Sequence, residues 1–392
     1  MTTPPANTIP FHRPSIGDAE RAAVMEVLNS GWLTTGEQSI RFEAAVSERL
    51  GVRHAVAVNS ATAALHLALE AIGVGPNDEV IVPTYTFAAS GETVRYLGAR
   101  PRLADVDPVT FNLTADSIAA QIRPNTKAIQ VVHVGGVVAD MTSILDLAGR
   151  HNLAVIEDAA HALPATHRGR DAATWGVAGA LSFYATKTIT TGEGGMLVTD
   201  SDAVADRARI MRLHGISRDA WKRYATGGHW YYEIEEAGFK YNLTDLAAAI
   251  GIPQLSRADG MRLAREHVAD RYDHGFREAG LEDLVQLPSR PSAGDVHAWH
   301  LYMIRLRLEH LNVTREAVIE TLKGAAIGTS VHFIPLHLHP YYQRTFGYKP
   351  GDFPIAEREY QREISLPIYP DLTDQDVDRV VRALREALIG PT

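Results

Sequence analysis

The 392-residue chain has no cysteine, which removes disulfides, thiolate metal sites and cysteine nucleophiles together. It also has no block of consecutive lysines or arginines, and its formal net charge is -9. Both features argue against a nucleic-acid or anionic-membrane surface as its main business, so any anionic ligand must be held by local devices. No apolar run approaches the roughly 18 residues that a membrane span requires. The opening residues, Met-Thr-Thr-Pro-Pro-Ala-Asn-Thr, carry neither a basic n-region nor an apolar h-region, and a cytoplasmic enzyme fits these exclusions best.

What is present is ordinary for a globular protein: 45% hydrophobic and 22% charged residues, over a length sufficient for two or three domains. Short apolar runs at 55–58, 80–82, 103–106, 128–134 and 154–156 alternate with helical patterns at 61–72, 88–97, 114–122 and 141–151. Runs of this length without polar alternation read as strands buried on both faces, so the expected fold is α/β with a mostly parallel central sheet flanked by helices. Further on, 299–306 and 329–334 read as strands and 314–323 as a helix. A last helix starts at Thr373, with Asp376 completing a capping box, and the whole C-terminal part reads as a smaller α+β unit. The expected division is an N-terminal segment 1–30, a large domain 31–265 and a small domain 266–392.

In parallel sheets, ligands sit beyond the carboxyl ends of the strands, and four features fall there. Asn59-Ser60-Ala61-Thr62 opens a helix, a natural phosphate seat, although Ser60 serves equally as a plain N-cap. Phe87 follows the second strand and offers either a stacking face or a core residue. Asp158 ends an apolar strand with His161 three residues later, where a carboxylate is costly unless a cation or donor meets it. Lys187 lies in Ser182-Phe183-Tyr184-Ala185-Thr186-Lys187, just before the turn Gly192-Glu193-Gly194-Gly195. There it is either a solvated turn residue or a desolvated amine of lowered pKa, able to form a Schiff base. One ligand accounts for all four. Pyridoxal 5'-phosphate needs a lysine, a carboxylate for its ring nitrogen, an aromatic face and a helix N-terminus for its phosphate. The seventeen histidines, including His297 with His300 and His337 with His339, lack the accompanying cysteines or clustered carboxylates of a metal site, so no metal is expected.

These motifs, together with Ile156-Glu157-Asp158-Ala159-Ala160-His161 and Tyr241-Asn242-Leu243-Thr244-Asp245, resemble the DegT/StrS sugar aminotransferases of the type I pyridoxal-phosphate fold. The similarity runs from Gly31-Trp32 to Leu366-Pro367. Within the family it is greatest to the type that makes UDP-4-amino-4-deoxy-L-arabinose, through Ser60-Ala61-Thr62, Lys240 to Asp245 and Val296-His297-Ala298-Trp299-His300. The resemblance implies Lys187 as Schiff-base lysine and proton shuttle, and Asp158 as partner of the pyridine nitrogen. It implies His161 near the ring hydroxyl, Phe87 stacked on the ring, and Ser60, Ala61, Thr62 and Ser182 around the phosphate. Asn242 would reach in from a second subunit, making a homodimer with shared sites. Trp32, Tyr184, His332 and the 221–232 loop are the candidate sugar contacts. Tyr184, Thr188 and Gly135 depart from frequent family residues, a histidine, an asparagine and an aromatic, and bear on sugar preference.

The implied reaction is a ping-pong transamination, from L-glutamate through the pyridoxamine 5'-phosphate form to a keto-sugar, expected to be a 4-keto nucleotide-diphosphate sugar. A related sugar dehydratase would carry histidine in place of Lys187. A non-catalytic sensor on the same fold is the reading from a different class.

Overall fold

The computed structural model describes residues 7–216 and 232–390. Two helices, α1 (Asp18–Ser30) and α2 (Glu37–Leu50), precede the first strand, β1 (His54–Val58). The α/β alternation then runs α3 (Ala61–Ala71), β2 (Glu79–Pro83), α4 (Ala88–Tyr96), β3 (Arg100–Ala104), α5 (Ala115–Ala119), β4 (Thr126–Val132), α6 (Met141–His151) and β5 (Ala154–Asp158). A small hairpin of β6 (Thr166–His167) and β7 (Arg170–Asp171) leads to β8 (Ala178–Ser182) and β9 (Gly195–Thr199). The main sheet has seven strands in the order β1-β9-β8-β5-β4-β2-β3. It is parallel except for β9, which runs antiparallel to both β8 and β1. The mostly parallel sheet expected from the apolar runs is therefore present, and every residue of β2 and β9 is buried, as strands covered on both faces must be.

Beyond α7 (Asp202–Met211), α8 (Asp245–Ser256) is followed by the 21-residue α9 (Ala258–Glu278). α9 joins two cores: Ala258 and Met261 pack with Phe42 and Leu255, whereas Val268, Ala269, Tyr272 and Phe276 pack with Trp299, Tyr302 and Ile304. That second core is closed by a three-stranded antiparallel sheet of β10 (Val285–Gln286), β11 (Tyr302–Leu306) and β12 (Glu363–Leu366). The helices α10 (Arg315–Gly324), α11 (Pro340–Phe346), α12 (Pro354–Arg362) and α13 (Asp374–Ile389) belong to this C-terminal part. Thr373 caps α13 with Asp376 as expected, and Val377, Val380, Val381, Leu384 and Leu388 are buried on one face.

Two strand expectations are corrected. β11 starts at Tyr302 rather than 299, because Trp299 sits at φ 49°, a left-handed conformation that cannot continue a strand. The 329–334 stretch forms no strand: only Ser330 bridges, to Ser365, and the residues after it face a cavity instead of a neighbouring strand.

Period-two alternation sends the adjacent acids at the end of β5 to opposite faces. Glu157, fully buried, accepts from the amides of Ala173, Trp175 and Gly176 at 2.9, 2.6 and 2.8 Å and bonds His133 Nε2 at 2.9 Å. This one carboxylate fixes the turn that feeds β8. Glu157→Gln puts an amide NH2 against donors, and the expected loss is on the order of 3 kcal/mol, read as a lowered denaturant midpoint with unchanged slope.

Candidate active site

The carboxyl ends of β5 and β8, the amino end of α3 and the segment 330–333 enclose a cavity of about 680 Å³. Each wall follows from local sequence. β5 delivers Asp158. The hairpin between β8 and β9 carries Ser182, Tyr184 and Lys187 to the same edge, the Lys187 amide donating to the Tyr184 carbonyl at 2.9 Å. α3 begins at Ala61 with Ser60 as N-cap, its hydroxyl accepting from the Ala63 amide at 3.1 Å. Ser60 is thus the cap that the plain reading foresees, while the amides of Ala61 and Thr62 have no acceptor among the described residues, as is usual for the first N–H groups of a helix. Gly195 makes this turn possible: a Cβ there would lie 2.3 Å from the Ser60 carbonyl carbon and 2.5 Å from the Ala61 nitrogen.

Asp158 is 6% exposed. Its Oδ2 accepts from the Ser90 hydroxyl at 3.0 Å and its Oδ1 from the Ala160 amide at 3.2 Å. Burial pushes its carboxyl up, against the pull of these donors and of the Lys187 charge. Lys187 is half-buried by area because it faces the open cavity, yet protein surrounds it, and desolvation brings its ammonium down to about 8 against the opposing charge of Asp158. His161 is held well below the usual imidazole range, first by burial and then by Lys187. Its Nδ1 accepts from the Gly135 amide at 3.3 Å, and its ring lies 4.3 Å from that of His300.

Of the residues expected at the site, Ser60, Ala61, Thr62, Phe87, Asp158, His161, Ser182, Tyr184, Lys187 and His332 all line this cavity. Phe87 is 63% exposed, so its ring is a free wall and not core. Trp32 and Asn242 do not line the cavity within this chain. The Trp32 indole donates to the Thr35 carbonyl at 3.1 Å and leans on Gly36. Asn242 binds Thr35 Oγ1 and the Lys240 ammonium, both at 2.6 Å, and lies in a neighbouring surface groove that shares Glu193 with the cavity. Most of the 221–232 loop lies outside the described residues. Sequence reasoning gave no role to Ser90 and His12, and named His300 only in setting aside a metal and within the stretch Val296 to His300; His12 and His300 line the cavity. Ser90 had a signal, a small hydroxyl one turn after Phe87. His12 had none, since the pairing of Ile9 with Ile327 brings it to the wall.

The fit to pyridoxal phosphate can be judged on this geometry. A helix start whose first two amides, Ala61 and Thr62, have no acceptor among the described residues, packed against Gly195, suits a phosphate. A buried carboxylate suits a protonated ring nitrogen, and a lysine with a depressed pKa suits an aldehyde. The open aromatic face of Phe87, lining the same cavity, completes the set. A mostly parallel α/β fold carrying these groups at its carboxyl edge is that of a pyridoxal-phosphate enzyme.

Comparison with known proteins makes the assignment specific. Residues 14–385 match the model of the DegT/DnrJ/EryC1/StrS aminotransferase family. The spore coat polysaccharide biosynthesis protein SpsC of Bacillus subtilis is 47% identical over 383 residues, covering 97% of each chain. The solved aminotransferase TlmJ from Streptoalloteichus hindustanus superimposes with a TM-score of 0.88 at 34% identity, over 97% of this chain and 99% of that one. Spr1654 from Streptococcus pneumoniae, solved in its PLP-form, gives 0.89 at 30% identity, over 97% and 98%. The chain belongs to the DegT/DnrJ/EryC1/StrS family of pyridoxal-phosphate-dependent aminotransferases.

The lowered Lys187 pKa sets a pH dependence. The neutral amine is the reacting form, so a lowered pKa makes it available at lower pH. Addition of pyridoxal phosphate to cofactor-free protein, followed by its visible absorbance, should reach half its maximal rate near pH 8 instead of the ordinary lysine value of 10.5. Asp158→Asn removes the anion that favours the charged amine and should move that midpoint lower still. A midpoint at or above 10 in the unaltered protein contradicts this account.

Proposed function

We propose that this chain moves an amino group from L-glutamate to the 4-keto group of a nucleotide-diphosphate sugar, in two half-reactions, acting in the cytoplasm as a homodimer. The observation that carries the reading is the lysine of lowered pKa and the buried carboxylate sharing one cavity of about 680 Å³. That volume falls within the roughly 300–1,000 Å³ of small-molecule sites. The sugar acceptor is supported by SpsC, a relative named for spore coat polysaccharide biosynthesis, and by neutral histidines in the cavity wall, suited to hydroxyl groups. The dimer is supported by the position of Asn242 in a groove that adjoins the cavity through Glu193, from which it would serve the site of a second copy. The large unit, residues 31–265, would then carry the chemistry, with the small unit, 266–392, closing the cavity behind the 1–30 segment.

When bound, pyridoxal phosphate supplies a carbonyl carbon to carry the amino group and a ring that takes up electron density as the adjacent carbon loses its proton. The residues around it divide the remaining work. Lys187 would hold the cofactor covalently at rest. Once released as a neutral amine, it would take a proton from the substrate carbon and deliver it, on the same face, to the carbon on the other side of the nitrogen being transferred, one base serving both half-reactions. Asp158, ionised by pairing, would hold the proton of the ring nitrogen, with Ser90 and the Ala160 amide keeping its oxygens in place. The amides of Ala61 and Thr62, with Ser60 and Ser182, would take the phosphate, Phe87 would cover the ring, and His161 would lie near its hydroxyl.

Protein loaded with pyridoxal phosphate should lose its visible band on adding L-glutamate and regain it with a keto-sugar nucleotide, a UDP-linked 4-keto pentose being among those to screen. Lys187→Ala should lower turnover by roughly 10³-fold or more. A spectrum unmoved by glutamate and by every other amino donor overturns the proposal.

A further inference from the structure

Glu363 opens β12 and is fully buried, yet it has no ion pair among the described residues. The two arginines whose charge reaches it are engaged elsewhere: Arg305 donates to the carbonyls of Pro108, Val109 and Leu287, and Arg315 to Tyr360 and Glu316. A buried carboxyl without a cation is costly, so what it does bond is informative. One of its oxygens meets His332 directly and the other meets it through Ser365. Oε2 accepts from the His332 amide at 2.9 Å, and Oε1 is hydrogen-bonded to the Ser365 hydroxyl, whose oxygen in turn meets His332 Nδ1 at 2.8 Å.

The backbone holds this pair of segments together. The Ser330 amide donates to the Ser365 carbonyl at 3.1 Å and the Ser365 amide to the Ser330 carbonyl at 2.9 Å. The Tyr85 hydroxyl donates to the His332 carbonyl, and Phe11 stacks on the imidazole at 5.5 Å. The hydrogen bonds that restrain His332 therefore come from behind the wall, while Phe11, itself a cavity residue, stacks on its ring. Its Nδ1 is tied up, and Nε2 has no protein partner among the described residues at the cavity that His332 lines. The ring is neutral across the working range, because burial, then Lys187, brings it down to about 4.

We propose that Glu363 and Ser365 are positioning residues that fix the ring orientation and tautomer of His332: the Ser365 hydroxyl, donating to Glu363, accepts from Nδ1–H, so that the unprotonated Nε2 accepts a hydrogen bond from a hydroxyl group of the acceptor. The inference rests on the keto-sugar reading of the site and deepens it. A neutral imidazole with one defined free nitrogen discriminates between hydroxyl arrangements and has no charge with which to draw a phosphate. The second half-reaction therefore depends on this chain, and the first, with glutamate, does not.

The test compares Ser365→Ala, Glu363→Gln, His332→Gln and the Ser365→Ala/His332→Gln pair. Each half-reaction is followed separately by the cofactor's absorbance. Each single variant should lower kcat/KM for the keto-sugar nucleotide about tenfold while changing the glutamate half-reaction by less than about twofold. The double variant should lose no more than His332→Gln alone, since coupled residues are non-additive. Nitrogen-15 spectra of histidine-labelled, cofactor-free protein, assigned through His332→Gln, should show one His332 tautomer, converted to a mixture in Ser365→Ala and in Glu363→Gln. Equal losses in both half-reactions, additive losses in the double variant, or an unaltered tautomer in Ser365→Ala would each overturn the proposal. If no keto-sugar nucleotide reacts with the unaltered protein, the substrate reading fails, and the nitrogen spectra alone decide the role of Glu363 and Ser365.

Discussion

Desolvation of two opposite charges in one cavity is the constraint on which the rest of this structure depends. Asp158 and Lys187 are each taken out of bulk water, and burial moves each toward its neutral form: the carboxyl up, the ammonium down to about 8. Their mutual attraction opposes both shifts without cancelling either. A lysine that kept its ordinary pKa would be almost wholly protonated at neutral pH and poor as a base. One buried with no anion near it would have no counter-charge when a proton arrived. The balance between burial and pairing is what makes a single amine serviceable in both directions of proton transfer.

The fold meets this constraint through the end of one strand. Glu157 and Asp158 are consecutive, so the pleat of β5 sends them to opposite faces. Glu157 is consumed by the turn at 173–176 and by His133, which anchors the start of β8. β8 then pairs with β5 in parallel and, through the following hairpin, carries Lys187 to the edge where Asp158 ends. The antiparallel β9 closes the arrangement, and Gly195 lets its backbone approach the α3 start more closely than any side chain would permit. Structural acid and chemical acid are thus neighbours in sequence, and the first positions the lysine that the second requires.

The inner half of the site was legible in the sequence because its parts lie on regular elements with one physical reason each. Apolar runs without alternation announced a parallel sheet, the sheet announced its carboxyl edge, and Ser60, Phe87, Asp158 and Lys187 each follow a strand. The outer half was legible only in part, through Tyr184 and His332 in the family resemblance. His12 reaches the cavity through a contact between distant segments, the bridge of Ile9 to Ile327, and such contacts leave no periodic trace. The stretch 329–334 imitated a strand because most of its residues are half-buried against a cavity, and partial burial against a ligand wall resembles partial burial against a sheet. α2, α11 and α12 had no counterpart among the expectations either, their apolar positions being set by packing against elements far away in the chain.

The two halves also differ in electrical character, and this bears on how one scaffold can serve different acceptors. The inner end holds the opposed charges. The outer wall presents imidazoles: His12 and His332, each lowered to about 4, and His300, held well below the usual imidazole range, all with burial as the leading cause. These rings offer polarity without charge. Changing which oxygen they meet alters the fit of an uncharged sugar ring while leaving the field at Lys187 nearly untouched, because a neutral dipole's influence falls away faster with distance than that of a charge. Acceptor preference can therefore vary along the outer wall at little cost to proton transfer, and a buried carboxyl such as Glu363, bonded to the His332 amide and to Ser365 behind it, orients that wall from outside the cavity.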